Sequence, residues 1–180
     1  SLAVPNGVRP IVQSKCIPEV MVLPLENLGS INLQSYDVVA VGPGLGRTDE
    51  AKVLVNSLLE RQSGHMVIDA DGLYALGTIG HVYAHGDKTI TYEGNMQFKN
   101  CIMTPHLGEF SRLIDTSINF IEKHYVELAI QFAVAHNVVL VLKGIPSLVA
   151  FPTGEVYINM IGNPGMGTGG MGDSLTGIIA

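Results

Sequence analysis

The chain has 180 residues, 47% hydrophobic and 14% charged, a balance that suits one globular domain with a well-buried core rather than a disordered or membrane-spanning segment. A formal net charge of −6 argues against a nucleic-acid surface, which would normally show a basic stripe that this sequence lacks, so any phosphate must be held locally rather than by a charge field. There is no uncharged apolar run of about 18 residues and no secretory leader pattern, and Cys16 and Cys101 show neither metal-ligand spacing nor disulfide-scaffold density, which points to a reducing cytoplasm.

In chain order, "DVVAVG" (37–42) reads as a strand. It is followed by an amphipathic helix, "TDEAKVLVNSLLERQ" (48–62), with Ala51, Leu54, Val55, Leu58 and Leu59 at helical spacing behind a Thr48 cap. "HMVIDA" (65–70) is the next strand and "DGLYALG" the next helix start. Residues 78–100 are polar and glycine-punctuated and read as loop. "CIMTP" (101–105) leads into a helix through "HLGEFSRLI". A single long helix is expected from Ser117 to about His136, before the strand "VVLVLKG" (138–144). "SLVAF" and "EVYIN" flank the hairpin-like turn "PTG". Near-continuous Val/Ile/Leu strands alternating with helices predict an α/β fold, a mostly parallel central sheet with helices on both faces. The chain starts at Ser1 and stops at Ala180 inside a helix-like run, so one domain over 1–180, incomplete at both ends, is expected.

The unusual residues fall at matching places. "GPGLG" (42–46), "DADGL" (69–73), "TPHLGE" (104–109) and "KG" (143–144) each follow a strand. Ligands of open α/β sheets bind outside the carboxyl ends of the strands, so four distant segments are predicted to line one cleft.

The last stretch, "GNPGMGTGGMGDSLTGIIA", has six glycines within residues 162–172, then Asp173, then an apolar helical run. Gly167, Gly169, Gly170 and Gly172 can present backbone N–H groups, and a helix N-terminus behind them favours an anion. Asp173 is either a favourable charge at a helix start or a base that takes the proton from a substrate hydroxyl beside a bound phosphoryl group. The loop is neither a Walker A motif nor a GxGxxG opening a βαβ unit.

Together these motifs resemble, in order and over roughly residues 37–180, the ADP/ATP-dependent (S)-NAD(P)H-hydrate dehydratases of the ribokinase-like superfamily, with "NPGM" and "TGG" closest to the bacterial, ADP-using branch. The resemblance implies dehydration of the S epimer of hydrated NADH or NADPH, by phosphorylation of the ring hydroxyl from ADP (or ATP) and loss of phosphate. It implies Asp173 as catalytic base and substrate contact, and Gly44 and His106 as further substrate contacts. Nucleotide contacts would come from Lys143, Gly144, Ile145, Pro146, Ser147, Gly169, Gly170 and Gly172. Mg²⁺ is the expected charge-neutralising ion. No residue is assigned as its ligand. The implied setting is cytoplasmic, without nucleic acid or membrane, with room for a homo-oligomer and an epimerase partner. Two departures stand out: Pro146-Ser147, near where relatives carry threonine, and Gly167, where alanine is usual.

Other residues carry two readings. His106 packs or caps at a helix start, or contacts ligand as part of "TPHLGE", the reading the motif favours. Glu109 orients magnesium through water or faces solvent. Asp69 and Asp71 are expected to shape a strand-to-helix turn rather than act as acid and base. Lys143 touches phosphate or is a solvated strand end. Met160, Met166 and Met171 read as adaptable packing, and the six histidines form no zinc pattern. The competing functions are a small-molecule kinase of the same superfamily, of the hydroxymethylpyrimidine or hydroxyethylthiazole type, and a nucleotide-binding module without turnover.

Overall fold

The apolar runs become strands and most amphipathic runs become helices in the computed structural model, which describes residues 1–30, 32–61, 64–85 and 89–180. The chain divides into two units, Ser1–Ser35 and Tyr36–Ala180. The first is small: β1 (Leu2–Val4) pairs in parallel with β2 (Val22–Pro24), and α1 (Arg9–Lys15) connects them with a proline in its first turn. Within this unit Glu26 accepts the Asn6 N–H at 2.9 Å.

The second unit holds the motifs. Its elements are β3 (Val38–Val41), α2 (Asp49–Arg61), β4 (His65–Ile68), α3 (Ala70–Leu76), β5 (His81–His85), β6 (Thr89–Glu93), β7 (Cys101–Met103), α4 (Leu107–Leu113), α5 (Ile118–Lys123), α6 (Tyr125–His136), β8 (Val138–Leu142), β9 (Ser147–Ala150), β10 (Val156–Asn159) and α7 (Met171–Ile179). A six-stranded sheet runs β10-β9-β8-β7-β4-β3. β3, β4, β7 and β8 are parallel neighbours, with Val41 opposite Ile68, Ile68 opposite Met103, and Met103 opposite Leu140. β9 and β10 are antiparallel, joined by the "PTG" turn as its composition predicts. The sheet is therefore mostly parallel.

The core forms where apolar strand faces meet helices. Phe110 of α4 and Phe132 of α6, both fully buried, meet edge to face with ring centroids 5.2 Å apart. Burial stabilises each such side chain by roughly 1.5–3 kcal/mol. α6 lies on β8 and β9, and α7 touches β4. As expected, Thr48 caps α2, its Oγ1 accepting the Ala51 N–H at 3.3 Å. Gln62, expected in that helix, lies outside the described residues.

Two expectations need correction. Residues 81–85 and 89–93 are not loop: β5 and β6 pair antiparallel as a separate two-stranded ribbon. "HVYAH" and "TITYE" carry aromatic and β-branched residues suited to strands, and the surrounding glycines obscured that pattern. Residues 86–88, between them, lie outside the described residues. The long helix breaks at His124, with φ −121° and ψ 30°, into α5 and α6. The His124 N–H is shared between the Phe120 and Ile121 carbonyls. Neither proline nor glycine marks the break, and helical periodicity runs on through it.

Candidate active site

Because four neighbouring strands run parallel, the loops that follow them leave from one sheet edge. An extra parallel bridge joins His106 to Lys143 beyond the last paired residues of β7 and β8. Lys143 N–H also donates to the Pro105 carbonyl at 2.8 Å.

The β3 and β4 ends meet backbone to backbone. Gly42 has φ +130°, and a Cβ placed there would lie 1.8 Å from the Asp69 carbonyl oxygen. Only glycine tolerates both conditions. Beyond it, Asp71 accepts Gly46 N–H at 3.0 Å and Arg47 Nε at 2.9 Å, tying "GPGLG" to "DADGL". The Arg47 bond, aided by Gly46 and opposed by partial burial, holds the Asp71 carboxyl below its ordinary range. Asp69 caps α3 by accepting the Ala70 N–H at 2.8 Å. The turn-shaping reading is thus the geometry observed for Asp69, and Asp71 clamps the neighbouring loop.

His106 is the N-cap of α4 in a reciprocal capping box. Its Nδ1 accepts from the N–H groups of Gly108 at 3.0 Å and Glu109 at 3.3 Å, while Glu109 Oε2 accepts the His106 N–H at 2.9 Å. An Nδ1 that accepts places the ring proton of the neutral side chain on Nε2, which lies 3.4 Å from Glu109 Oε1. The side chain remains 60% exposed, so capping leaves its outer edge open to a ligand. Glu109 does not face solvent, its side chain being 13% exposed.

Lys143 is not a solvated strand end. Its Nζ lies 2.8 Å from Asp69 Oδ1 and 4.0 Å from Glu109 Oε2, and its side chain is 25% exposed. Asp69 is 1% exposed, so the ammonium compensates a buried carboxylate. The following turn contains a cis Ile145–Pro146 bond. Ser147 Oγ donates to the Gly144 carbonyl at 2.9 Å, and the Tyr125 hydroxyl reaches the carbonyls of Leu142 at 3.2 Å and Pro146 at 3.0 Å. Burial pushes the Tyr125 phenol up to about 12, so it stays a neutral donor. Ile145 is 97% exposed at the tip.

The glycine loop ends on Gly170, the N-cap of α7, with φ +89°. Having no side chain, it supplies no capping acceptor. The first-turn N–H groups of Gly172 and Asp173 therefore lack a side-chain cap, the arrangement that suits an anion. A Cβ at Gly172 would lie 3.6 Å from both Lys143 Nζ and Asp69 Oδ2, so this turn sits directly on the ion pair.

Gly44, His106, Ile145, Gly169, Gly170 and Asp173 are all exposed. Lys143, Gly144, Pro146, Ser147 and Gly172 are partly buried and form the joins between segments. Three contributors escaped sequence reasoning. Arg47 and Tyr125 look like ordinary surface and helix residues, and Thr176, one turn after Gly172, looks like part of an apolar helix. A cavity of about 680 Å³, lined in part by Ile79, His81, Tyr83, Tyr92 and Met96, includes none of the strand-end motif residues in its lining. Convergence of the strand ends, not cavity size, therefore locates the site.

The arrangement defines a class: a mostly parallel α/β protein with a helix start that has no side-chain cap and an exposed aspartate at the strand edge. Comparison places it within that class. The family model described as NAD(P)H-hydrate dehydratase matches residues 8–180, and the chain belongs to that family. It is 40% identical over 192 residues to a bifunctional NAD(P)H-hydrate repair enzyme Nnr of Moorella thermoacetica, covering 99% of this chain and 34% of that protein. It is 32% identical over 146 residues to the ADP-dependent (S)-NAD(P)H-hydrate dehydratase of Bacillus subtilis, covering 81% of this chain and 47% of that enzyme. The chain thus spans a third to a half of the length of these relatives. The crystal structure of the Bacillus subtilis ADP/ATP-dependent NAD(P)H-hydrate dehydratase, co-crystallized with ATP/Mg²⁺, matches with a TM-score of 0.75 at 29% identity, over 99% of this chain and 60% of that one. A ribokinase-like superfamily protein from Enterococcus faecalis matches with a TM-score of 0.76 at 27% identity, over 99% and 58%. The fold is ribokinase-like.

Proposed function

We propose that this chain forms the catalytic core of an enzyme that uses ADP or ATP to dehydrate the S epimer of hydrated NADH or NADPH, a metabolite-repair reaction in the cytoplasm. The observation that carries the reading is the first turn of α7. There, uncapped N–H groups and an exposed aspartate sit on the Asp69–Lys143 pair, at the edge where four parallel strands end. The repair-enzyme names of relatives that align across this edge support the choice of substrate.

In this reading the N–H groups of Gly169, Gly170 and Gly172 cradle the nucleotide phosphates, and the Lys143–Ser147 turn holds the AMP portion. Gly44 and the outer edge of His106 contact the hydrated ring. Asp173 accepts the proton of the ring hydroxyl as its oxygen attacks the terminal phosphorus of ADP, with AMP leaving. Phosphate is a far better leaving group than hydroxide, and its departure, with loss of a proton from the adjacent ring carbon to solvent, restores the double bond of the dihydronicotinamide. Water and ADP thus end as inorganic phosphate and AMP.

Magnesium, when bound, neutralises phosphate charge. The described residues contain no cluster of three or more metal-binding side chains. That composition fits an ion held chiefly by phosphate oxygens and water, with Glu109 the neighbouring carboxylate. Selectivity for one epimer calls for an epimerase partner, and bifunctional relatives much longer than this chain have room for one. Association into a homo-oligomer is part of the same proposal.

Incubating the protein with hydrated NADH, Mg²⁺ and ADP or ATP tests the reading. NADH absorbance should appear together with stoichiometric inorganic phosphate. A stable phosphoester, or phosphorylation of a hydroxymethyl pyrimidine or hydroxyethyl thiazole in place of the hydrate, would identify a kinase instead.

A further inference from the structure

Asp69 does more than close the turn into α3. Its Oδ1 accepts from the Ala70 N–H and from Lys143 Nζ, each at 2.8 Å, and its Oδ2 accepts from Thr176 Oγ1 at 2.9 Å. The three donors belong to the start of α3, the end of β8 and the middle of α7. One buried carboxylate therefore joins elements more than a hundred positions apart in sequence.

The tie to α7 matters because little else buries that helix. Thr176 is its one buried residue, at 3% exposure, whereas Ile178 is 81% exposed. The threonine hydroxyl has a second acceptor in the Gly172 carbonyl at 3.1 Å, but the carboxylate is closer and charged, and so holds the proton. A directional bond to a fixed charge sets position more sharply than apolar contact does. Gly172, one turn before Thr176, is thereby seated against Asp69 and Lys143, with Asp173 beside it.

We infer that Asp69 is a positioning residue of the reaction: through Thr176 and Lys143 it locks the first turn of α7, with its anion-facing N–H groups and Asp173, against the ends of β4 and β8. This rests on the proposed reading of that turn as the reacting edge. A displacement of about 1 Å in such a turn can lower a rate by about a hundredfold without any loss of a group that touches substrate.

Thr176→Val tests the inference, because it keeps the side-chain shape, removes only the hydroxyl, and leaves the Asp69–Lys143 pair intact. Thr176→Ser restores the hydroxyl. In the protein that carries this chain, four quantities are compared with wild type: ADP affinity in Mg²⁺ by calorimetry, kcat on hydrated NADH, amide exchange across residues 170–176, and thermal midpoint. The valine variant should bind ADP roughly ten- to a hundredfold more weakly, the usual weight of a hydrogen bond to a charged group, with at least as large a loss in kcat and faster exchange in 170–176. The serine variant should recover most of each. Wild-type ADP affinity and kcat in Thr176→Val would overturn the inference, whether or not the midpoint falls, since the bond would then serve stability alone. If wild type binds ADP but leaves the hydrate unchanged, the reaction reading fails separately, and ADP affinity and exchange still decide the anchor.

Discussion

Replacing Gly42 with alanine should be one of the most damaging single-methyl changes in the molecule. The residue has φ +130°, where an L side chain is strained by about 1–3 kcal/mol. The added Cβ would also fall 1.8 Å from the Asp69 carbonyl oxygen and 2.7 Å from the Gly72 nitrogen, both backbone atoms. Relieving that overlap means separating the end of β3 from the start of α3, an overpacking penalty of about 1–3 kcal/mol. The two effects together predict a loss of about 2–6 kcal/mol, a large share of the total stability of an ordinary domain. Gly44→Ala is the matched control: its φ is +68°, but no atom lies within 4 Å of the new Cβ, so only backbone strain of about 1–2 kcal/mol applies. Urea denaturation monitored by circular dichroism measures both. If Gly42→Ala unfolds at the same urea concentration as Gly44→Ala, the backbone-to-backbone meeting of β3 and α3 is wrong.

Other consequences are as accessible. His136 is fully buried, with Nδ1 2.6 Å from the Met96 carbonyl and Nε2 2.5 Å from the Tyr92 hydroxyl. A carbonyl only accepts, so Nδ1 carries the proton and Nε2 takes one from Tyr92. Burial, opposed by the Met96 bond, lowers its pKa, so the unfolded chain binds a proton first as pH falls through about 6.5, and the stabilisation present above that pH is lost in acid. Urea midpoints should drop from pH 7.5 toward pH 5, and His136→Gln should flatten that part of the profile. Tyr125→Phe removes the hydroxyl that braces the 143–147 turn, so denaturation should show a loss of about 1–2 kcal/mol and calorimetry a weaker ADP complex. Gly169 needs no positive φ and has open space around it, so Gly169→Val should leave the urea midpoint nearly unchanged while lowering ADP affinity by blocking backbone approach. Unaltered affinity there would reduce the loop to a turn.

The parallel part of the fold was legible in the chain because continuous Val/Ile/Leu runs alternate with helix-period segments, a pattern that needs no tertiary information. The site edge followed from where "GPGLG", "DADGL", "TPHLGE" and "KG" sit relative to those runs. The joins between the motifs were not legible. Nothing local shows that Lys143 meets an aspartate 74 positions away, or that Thr176 points inward from an apolar helix to the same carboxylate. His106 shows the opposite limit: its place near a helix start allows a capping reading, but the reciprocal capping box with Glu109 and the exposed outer edge appear only in the structure. The β5–β6 ribbon was hidden because glycine punctuation dominated two short strands, and the kink at His124 has no breaker residue to announce it.

In the proposed reaction Asp173 performs the chemistry while the backbone around it holds the nucleotide. Asp173→Asn separates these roles, since Asn preserves size and suits a helix start, and the residue is exposed. The measurement is single-turnover formation of NADH from its hydrate, paired with ADP affinity in the same preparation. The variant should bind ADP at least as tightly as wild type and form NADH roughly 10²- to 10⁴-fold more slowly, the range of a positioned acid–base group. Equal single-turnover rates with equal affinity would rule out Asp173 as the base, leaving it a helix-start residue and moving the search for the base to Asp71 or Glu109.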